Sequence, residues 1–295
     1  MERAESMIRL THVHYAFSLD KDIYGKTWRP VLETYSWMPS TNIVLIENDT
    51  LAALQNLLLD ETNNNSLKVI LNKARENARG AQDHITKEVW KEINQMYHLV
   101  NDNSLQDRLN LHDSLRVIET LMQGCVMYTG VSEITMSRGT GWDFINLGKY
   151  IERCLQTIII TERQLLAMDF NDDANDILKW RYLLLSLSGY ELHLKSYRTS
   201  NFNYNALHQV VLNCSFTRSV LYSLDHIDIY LKRLTNSGDE ESTQLLRFFG
   251  RLHSKVKYMD LDVLNSNKVE QFLNEIKKDL FLFGKLLSEH FFSYS

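Results

Sequence analysis

The chain has 295 residues, 44% of them hydrophobic and 23% charged, an ordinary globular composition with room for one large domain or two small ones. A net charge of −5 excludes the clustered positive field that nucleic-acid binding needs, and no apolar run approaches the roughly 18 residues of a membrane span. With only 2 prolines and 11 glycines the chain lacks the turn residues of a sheet-rich fold, so long helices are expected.

In chain order, Met1, Ala4 and Ile8 recur at helical spacing and predict a first helix to about Phe17. Glu2 and Arg3 at the very start are unlike a secretory leader. Residues 20–42, with both prolines (Pro30 and Pro39), read as a connector holding a short helix near 31–37. Asp49 then caps a helix carrying Leu51, Leu54 and Leu58. Residues 61–65 form a turn, with Asn65 or Ser66 as the next cap.

The clearest amphipathic helix is 67–83, whose stripe runs through Leu67, Ile70 or Leu71, Ala74, Ala78, Ala81 and Ile85. Thr86 caps a helix carrying Val89, Trp90, Ile93 and Tyr97, with Glu88 in its dipole-favoured first turn. Residues 101–104 are a loop, and one long helix is expected over 105–131. The Gly-rich turn Arg138-Gly139-Thr140-Gly141 leads into a helix running to about Met168. A turn at 171–173, a helix over 178–198, a polar loop at 199–205 and helices near 216–234, 240–259 and 266–292 follow. The fold class expected is all-α, a single helical bundle over 1–295.

Two matches suggest that the bundle has two related halves, near 1–135 and 136–295. Glu152-Arg153 stands 150 positions after Glu2-Arg3, each pair in an apolar helical pattern. The stretch from Val210 through Ser219 to Leu224 reads like that from Leu57 through Ser66 to Leu71, 153 positions earlier. The turn before Glu152, at 141–149, has no counterpart before Met1, so the first helix is expected to be clipped or to start upstream.

Glu152 shares a helical face with Gly148, Leu155 and Ile159, which puts it at the edge of a buried stripe. A carboxylate there needs a partner, and Arg153 points about 100° away. The expectation is a polar cluster inside the bundle: Glu2 and Glu152 with Arg75, Arg79, Asp83 and Arg138. It serves either as an ion-pair network that fixes helix register or as a binding or catalytic site. No metal or cofactor is expected. His12 and His14 lie on different faces, and His84, His98 and His112 have no His three or four residues away. Neither Glu-x-x-His nor His-Glu-x-x-His occurs, and there is no phosphate-binding Gly-x-x-x-x-Gly-Lys loop. Cys125, Cys154 and Cys214 each lie in apolar context, which suggests buried reduced thiols of a cytoplasmic protein. Phe281, Phe283, Phe291, Phe292 and Tyr294 offer either a docking surface or a core-facing last helix, of which the second is expected.

The run Ala74-Arg75-Glu76-Asn77-Ala78-Arg79, followed by Asp83, Trp90 and Asn94, resembles the signature of the bacterial alpha-E domain family. So do Arg138, Gly141-Trp142, Phe144, Leu147-Gly148 and Glu152-Arg153, and the opening Met1-Glu2-Arg3-Ala4-Glu5 through Arg9. Lys149 and Cys154 depart from the family's usual arginine and alanine. The resemblance implies an α-helical domain with no established activity, whose genes accompany ATP-grasp carboxylate–amine ligases and transglutaminase-like proteins. It implies those partners, a peptide or amino-acid ligand, and Glu2, Arg3, Arg75, Glu76, Asn77, Arg79, Asp83, Trp142, Glu152 and Arg153 as motif positions. Three roles are open: accessory module of such a ligase, stand-alone acyl or amide enzyme with Glu152 or Glu2 as base, and structural interaction protein.

Overall fold

The computed structural model describes residues 1–19, 27–110, 113–168, 177–197, 202–235, 239–261 and 266–292. These residues hold fifteen α-helices and no strand, so the fold is all-α. They gather into two compact units, Met1–Gly141 and Trp142–Ser295. His112, Tyr294, the turn expected at 171–173 and the start of the connector at 20–26 lie outside the described residues.

The first unit contains α1 (Glu2–Leu19), α2 (Arg29–Tyr35), α3 (Ser40–Ile46), α4 (Thr50–Leu58), α5 (Leu67–Gly80), α6 (Lys87–Val100), α7 (Ser104–Asn110) and α8 (Ser114–Thr135). Side-chain oxygens set the starts of α4, α5 and α6. Asp49 accepts from the amides of Leu51 and Ala52, Ser66 from Val69, and Thr86 from Val89. Each satisfies an amide that the first helical turn leaves without a partner. The core takes one stripe from each helix: Ala4, Met7 and Ile8, then Leu54, Leu57 and Leu58, then Leu67 and Leu71, then Val117, Ile118 and Leu121. Gly124 lets α8 approach α6, since a Cβ there would overlap the Met96 side chain.

Two expectations fail in this unit. A second short helix, α3, starts at the end of the connector directly after Pro39, with Ile43 its one buried residue. The long helix over 105–131 is two helices, with Asp113 outside both; Arg108 reaches the Asp113 carboxylate at 3.4 Å while the Asp113 amide bonds back to the Arg108 carbonyl.

The second unit contains α9 (Thr140–Leu166, whose first two residues precede the division), α10 (Ile177–Ser186), α11 (Tyr190–Ser196), α12 (Phe202–Val211), α13 (Val220–Leu234), α14 (Glu240–Lys257) and α15 (Ser266–Phe292). Ser219 caps α13 by accepting from Tyr222, and Asp239 caps α14 by accepting from Ser242. Its core is built on Ile158, Leu183, Leu184, Val210, Leu224, Phe249, Leu273 and Phe283. The helix expected over 178–198 is broken at Ser188, which sits at φ 57°. Gly189 beside it packs so closely that a Cβ would stand 2.7 Å from Gln209 Nε2 and 2.8 Å from the Phe216 ring. The polar loop expected at 199–205 gives way to α12 from Phe202 onward. The helix expected from Phe216 begins at Val220, because Asn213 holds the intervening turn through the amides of Ser215 and Phe216. In the last helix Phe283 is fully buried whereas Phe281 and Phe292 are exposed, so the aromatic tail faces the core only in part.

Burial has a measurable consequence at His14, whose ring lies 4.6 Å from that of Trp28. Burial pulls its pKa down to about 4, against a hydrogen bond to the Thr27 backbone that works the other way. The folded chain therefore keeps His14 neutral where the unfolded chain protonates it. Stability is full above pH 6.5 and is lost as pH falls from 6.5 to about 4, by about 2–3 kcal/mol. Urea denaturation across pH 4–7 should show this slope, and His14→Gln should flatten it.

Candidate functional site

The motif residues of the first unit fall into two groups. Arg75, on α5, is clasped by α6. Its Nε donates to Asn94 Oδ1 at 2.7 Å, and Asn94 in turn donates to the Trp90 carbonyl at 2.9 Å. The guanidinium lies 4.5 Å from the centre of the Tyr97 ring and 5.8 Å from that of Trp90. Three motif positions, Arg75, Trp90 and Asn94, thus form one helix–helix clasp, which a planar guanidinium makes through both an edge and a face.

The second group is exposed. Glu76 reaches Arg75 at 3.2 Å and Arg79 at 3.8 Å, with Arg79 68% exposed and Glu76 60% exposed at the side chain. Asn77 and Asp83 are also exposed. An interior position is therefore not that of Arg79 or Asp83: the buried face of α5 carries Arg79 outward, and Asp83 lies beyond the helix on an exposed 3-10 turn. The 3-10 turn Gln82–His84 brings Asp83 close to the Gly-rich turn, since a Cβ on Gly141 would meet the His84 carbonyl at 2.9 Å. Thr86 and Thr135 join their hydroxyls at 2.8 Å beside it. Arg138 closes the end of α8, donating to the carbonyls of Glu133 and Met136 and pairing with the Glu133 carboxylate at 2.7 Å. The structure thus brings Glu76, Asn77, Arg79, Asp83 and Arg138 to one end of the first unit.

On α1, Glu2 and Arg3 are half-buried, and Arg3 Nη1 reaches Asn65 Oδ1 at 3.5 Å. Sequence reasoning missed the neighbouring Glu5, a buried carboxylate held by Arg9 one turn on. The spacing of four was the available signal.

In the second unit Trp142 is buried, and its carbonyl accepts from Asn146 Nδ2 at 2.9 Å. Glu152 is half-buried, as its place at the stripe edge implied, and accepts from Gln156 Nε2 at 2.7 Å. Arg153 donates to the Thr217 carbonyl at 3.4 Å. Beside this pair stands an aromatic column that sequence reasoning also missed. Tyr222, His226 and Tyr230 on α13 face Tyr150 on α9 at ring distances of 6.1, 4.6 and 6.0 Å. Their spacing of four was legible. His226 Nδ1 donates to the Tyr222 carbonyl at 2.8 Å, and the Lys149 ammonium lies 4.7 Å from the Tyr150 ring centre. Burial, and then the Tyr222 phenol, push the Tyr150 hydroxyl well above its ordinary pKa.

A Ser–His–Glu arrangement also occurs in this unit. His290 Nε2 is 3.2 Å from Ser242 Oγ, and His290 Nδ1 is 3.6 Å from the Glu241 carboxylate. Ser242 is only 1% exposed, and its hydroxyl donates to Asp239 at 2.9 Å. Ser242 is thus buried and committed to the cap of α14, although the Glu241 side chain is exposed. Among the described residues no set of three or more His, Cys, Asp and Glu is placed to hold a metal ion. No helix among them is long and apolar enough to cross a membrane. Cys125 and Cys154 are buried, but Cys214 is exposed, because it sits in the turn between α12 and α13 and not on a helix face.

A family model described as a predicted alpha-helical domain with a conserved ER motif matches residues 1–292. The chain belongs to the Alpha-E family. Glu-Arg dipeptides stand in this chain at Glu2-Arg3 on α1 and at Glu152-Arg153 and Glu162-Arg163 on α9. No curated protein and no solved structure matches the chain.

The Arg75 clasp makes a direct prediction for this Alpha-E domain. Arg75→Lys keeps the charge but loses the bond to Asn94 and the planar contact with Tyr97. It should cost about 1–2 kcal/mol in urea denaturation, whereas Arg79→Lys, at an exposed site, should stay within about 0.5 kcal/mol.

Proposed function

We propose that this Alpha-E chain is a helical accessory module that works in the cytoplasm with an ATP-grasp carboxylate–amine ligase in peptide synthesis or modification. The observation that carries the binding role is the division of the motif. Arg75, Trp90 and Asn94 are engaged in the α5–α6 clasp, whereas Glu76, Asn77, Arg79 and Asp83 are exposed at the end where the Arg138 turn folds back. Motif residues that a fold buries explain themselves by packing, and those it exposes are placed for a partner or ligand.

The chemistry of the row suits a peptide or amino-acid group. Arg79 offers a guanidinium fork to a carboxylate, and Glu76 and Asp83 offer carboxylates to an amine. The choice of an ATP-grasp ligase or a transglutaminase-like protein as partner rests on the family resemblance. A stand-alone enzyme receives no comparable support, since the Ser242 hydroxyl of the Ser–His–Glu arrangement is buried and committed to the cap of α14.

Purification of the tagged full chain from its native host tests this. The ligase should elute with it at near-stoichiometric yield. The triple variant Glu76→Ala, Arg79→Ala, Asp83→Ala should lower recovery at least about tenfold, or about 1.4 kcal/mol, with unfolding stability unchanged within about 0.5 kcal/mol. A chain that elutes alone after gentle cross-linking would end the partnership.

A further inference from the structure

Two of the chain's three Glu-Arg pairs, Glu2-Arg3 and Glu152-Arg153, stand in matching surroundings. Residues 1–10 and 151–160 show the same succession of half-buried and buried positions, with Glu2, Arg3 and Arg9 aligned on Glu152, Arg153 and Ile159. The helix that later meets each arginine's target also ends alike in both units. The Gln55 carbonyl accepts from the amides of Leu59 and Asp60, and the His208 carbonyl, 153 positions on, accepts from those of Leu212 and Asn213.

The turns that follow repeat the same bonds. Asp60 Oδ1 accepts from the Thr62 amide at 2.8 Å, and Asn213 Oδ1 accepts from the Ser215 amide at 2.8 Å. The Ser66 amide donates to the Asn63 carbonyl, and the Ser219 amide to the Phe216 carbonyl, both at 2.8 Å. Both serines then cap the next helix through the amide three residues on. Into each turn reaches one arginine of a Glu-Arg pair: Arg3 Nη1 to Asn65 Oδ1 at 3.5 Å and Arg153 Nη1 to the Thr217 carbonyl at 3.4 Å.

We propose that the second unit repeats the first and that Arg3 and Arg153 are positioning residues, each anchoring its own unit's helix to the turn before the serine cap. The glutamate beside each is thereby fixed at the half-buried edge of α1 or α9. Guanidinium suits the task, because an aliphatic stem crosses the apolar stripe while the donors emerge at the turn. The anchor is independent of any partner or ligand, so it stands or falls apart from the accessory role.

Hydrogen exchange on the full chain tests it, each unit serving as control for the other. Arg153→Met should speed exchange of the amides in 213–219 by about fivefold, the loss of one ordinary hydrogen bond, and leave those in 60–66 unchanged. Arg3→Met should do the reverse. Arg153→Lys, which keeps a charged donor of shorter reach, should produce a smaller rise of about twofold in the same turn, and it carries the test if the methionine variant fails to fold. Unchanged exchange in both turns, or a rise in both from either substitution, would overturn the assignment.

Discussion

Five oxygen-bearing side chains decide where α4, α5, α6, α13 and α14 begin. Asp49, Ser66, Thr86, Ser219 and Asp239 each accept from an amide in the first turn of the helix that follows. In a chain with two prolines, breaks in the hydrophobic pattern alone would leave helix ends free to slide by a turn. Sliding would rotate every buried stripe by about 100° per residue. The caps prevent that. Each is worth about 1 kcal/mol, small against the apolar burial it registers. The two serine caps are fully buried, so the start of α5 and of α13 is fixed inside the protein.

That constraint explains what the sequence disclosed. The caps at Asp49, Ser66 and Thr86 were legible because Ser, Thr and Asp before an apolar stripe have a single good use. The bounds of α15 and the reach of α1 and α9 were legible because their stripes are long. What was missed is short or interrupted. α3 shows almost no stripe, with Val44 and Leu45 exposed and Ile43 alone buried. The interruption at Ser188 and Gly189 depends on contact with Gln209 and Phe216, twenty or more positions away, which no local pattern announces.

Site residues were legible as a set and not as an arrangement. The motif run from Arg75 to Arg79 stood out, but the sequence could not say that Arg75 sits over the Tyr97 ring while Arg79 is exposed. A period of 3.6 separates neighbours four apart by only 40°, and a helix pair turns that small angle into the difference between a clasp and an exposed side chain. The Tyr222, His226 and Tyr230 column was present in the spacing, but only its facing residue, Tyr150 on α9, makes it a wall.

The placement of the cysteines carries a practical consequence. Burial drives the Cys125 thiol up to about 12 and Cys154 higher than its ordinary range, so neither offers a thiolate near neutral pH. Cys214 is exposed, one residue beyond Asn213 and three before Thr217. The native chain therefore carries one accessible alkylation site, set in the turn that Arg153 touches. A fluorophore or spin label attached there would sit beside the base of α13, and its signal would follow the local opening of that turn in a protein that still has all its other side chains.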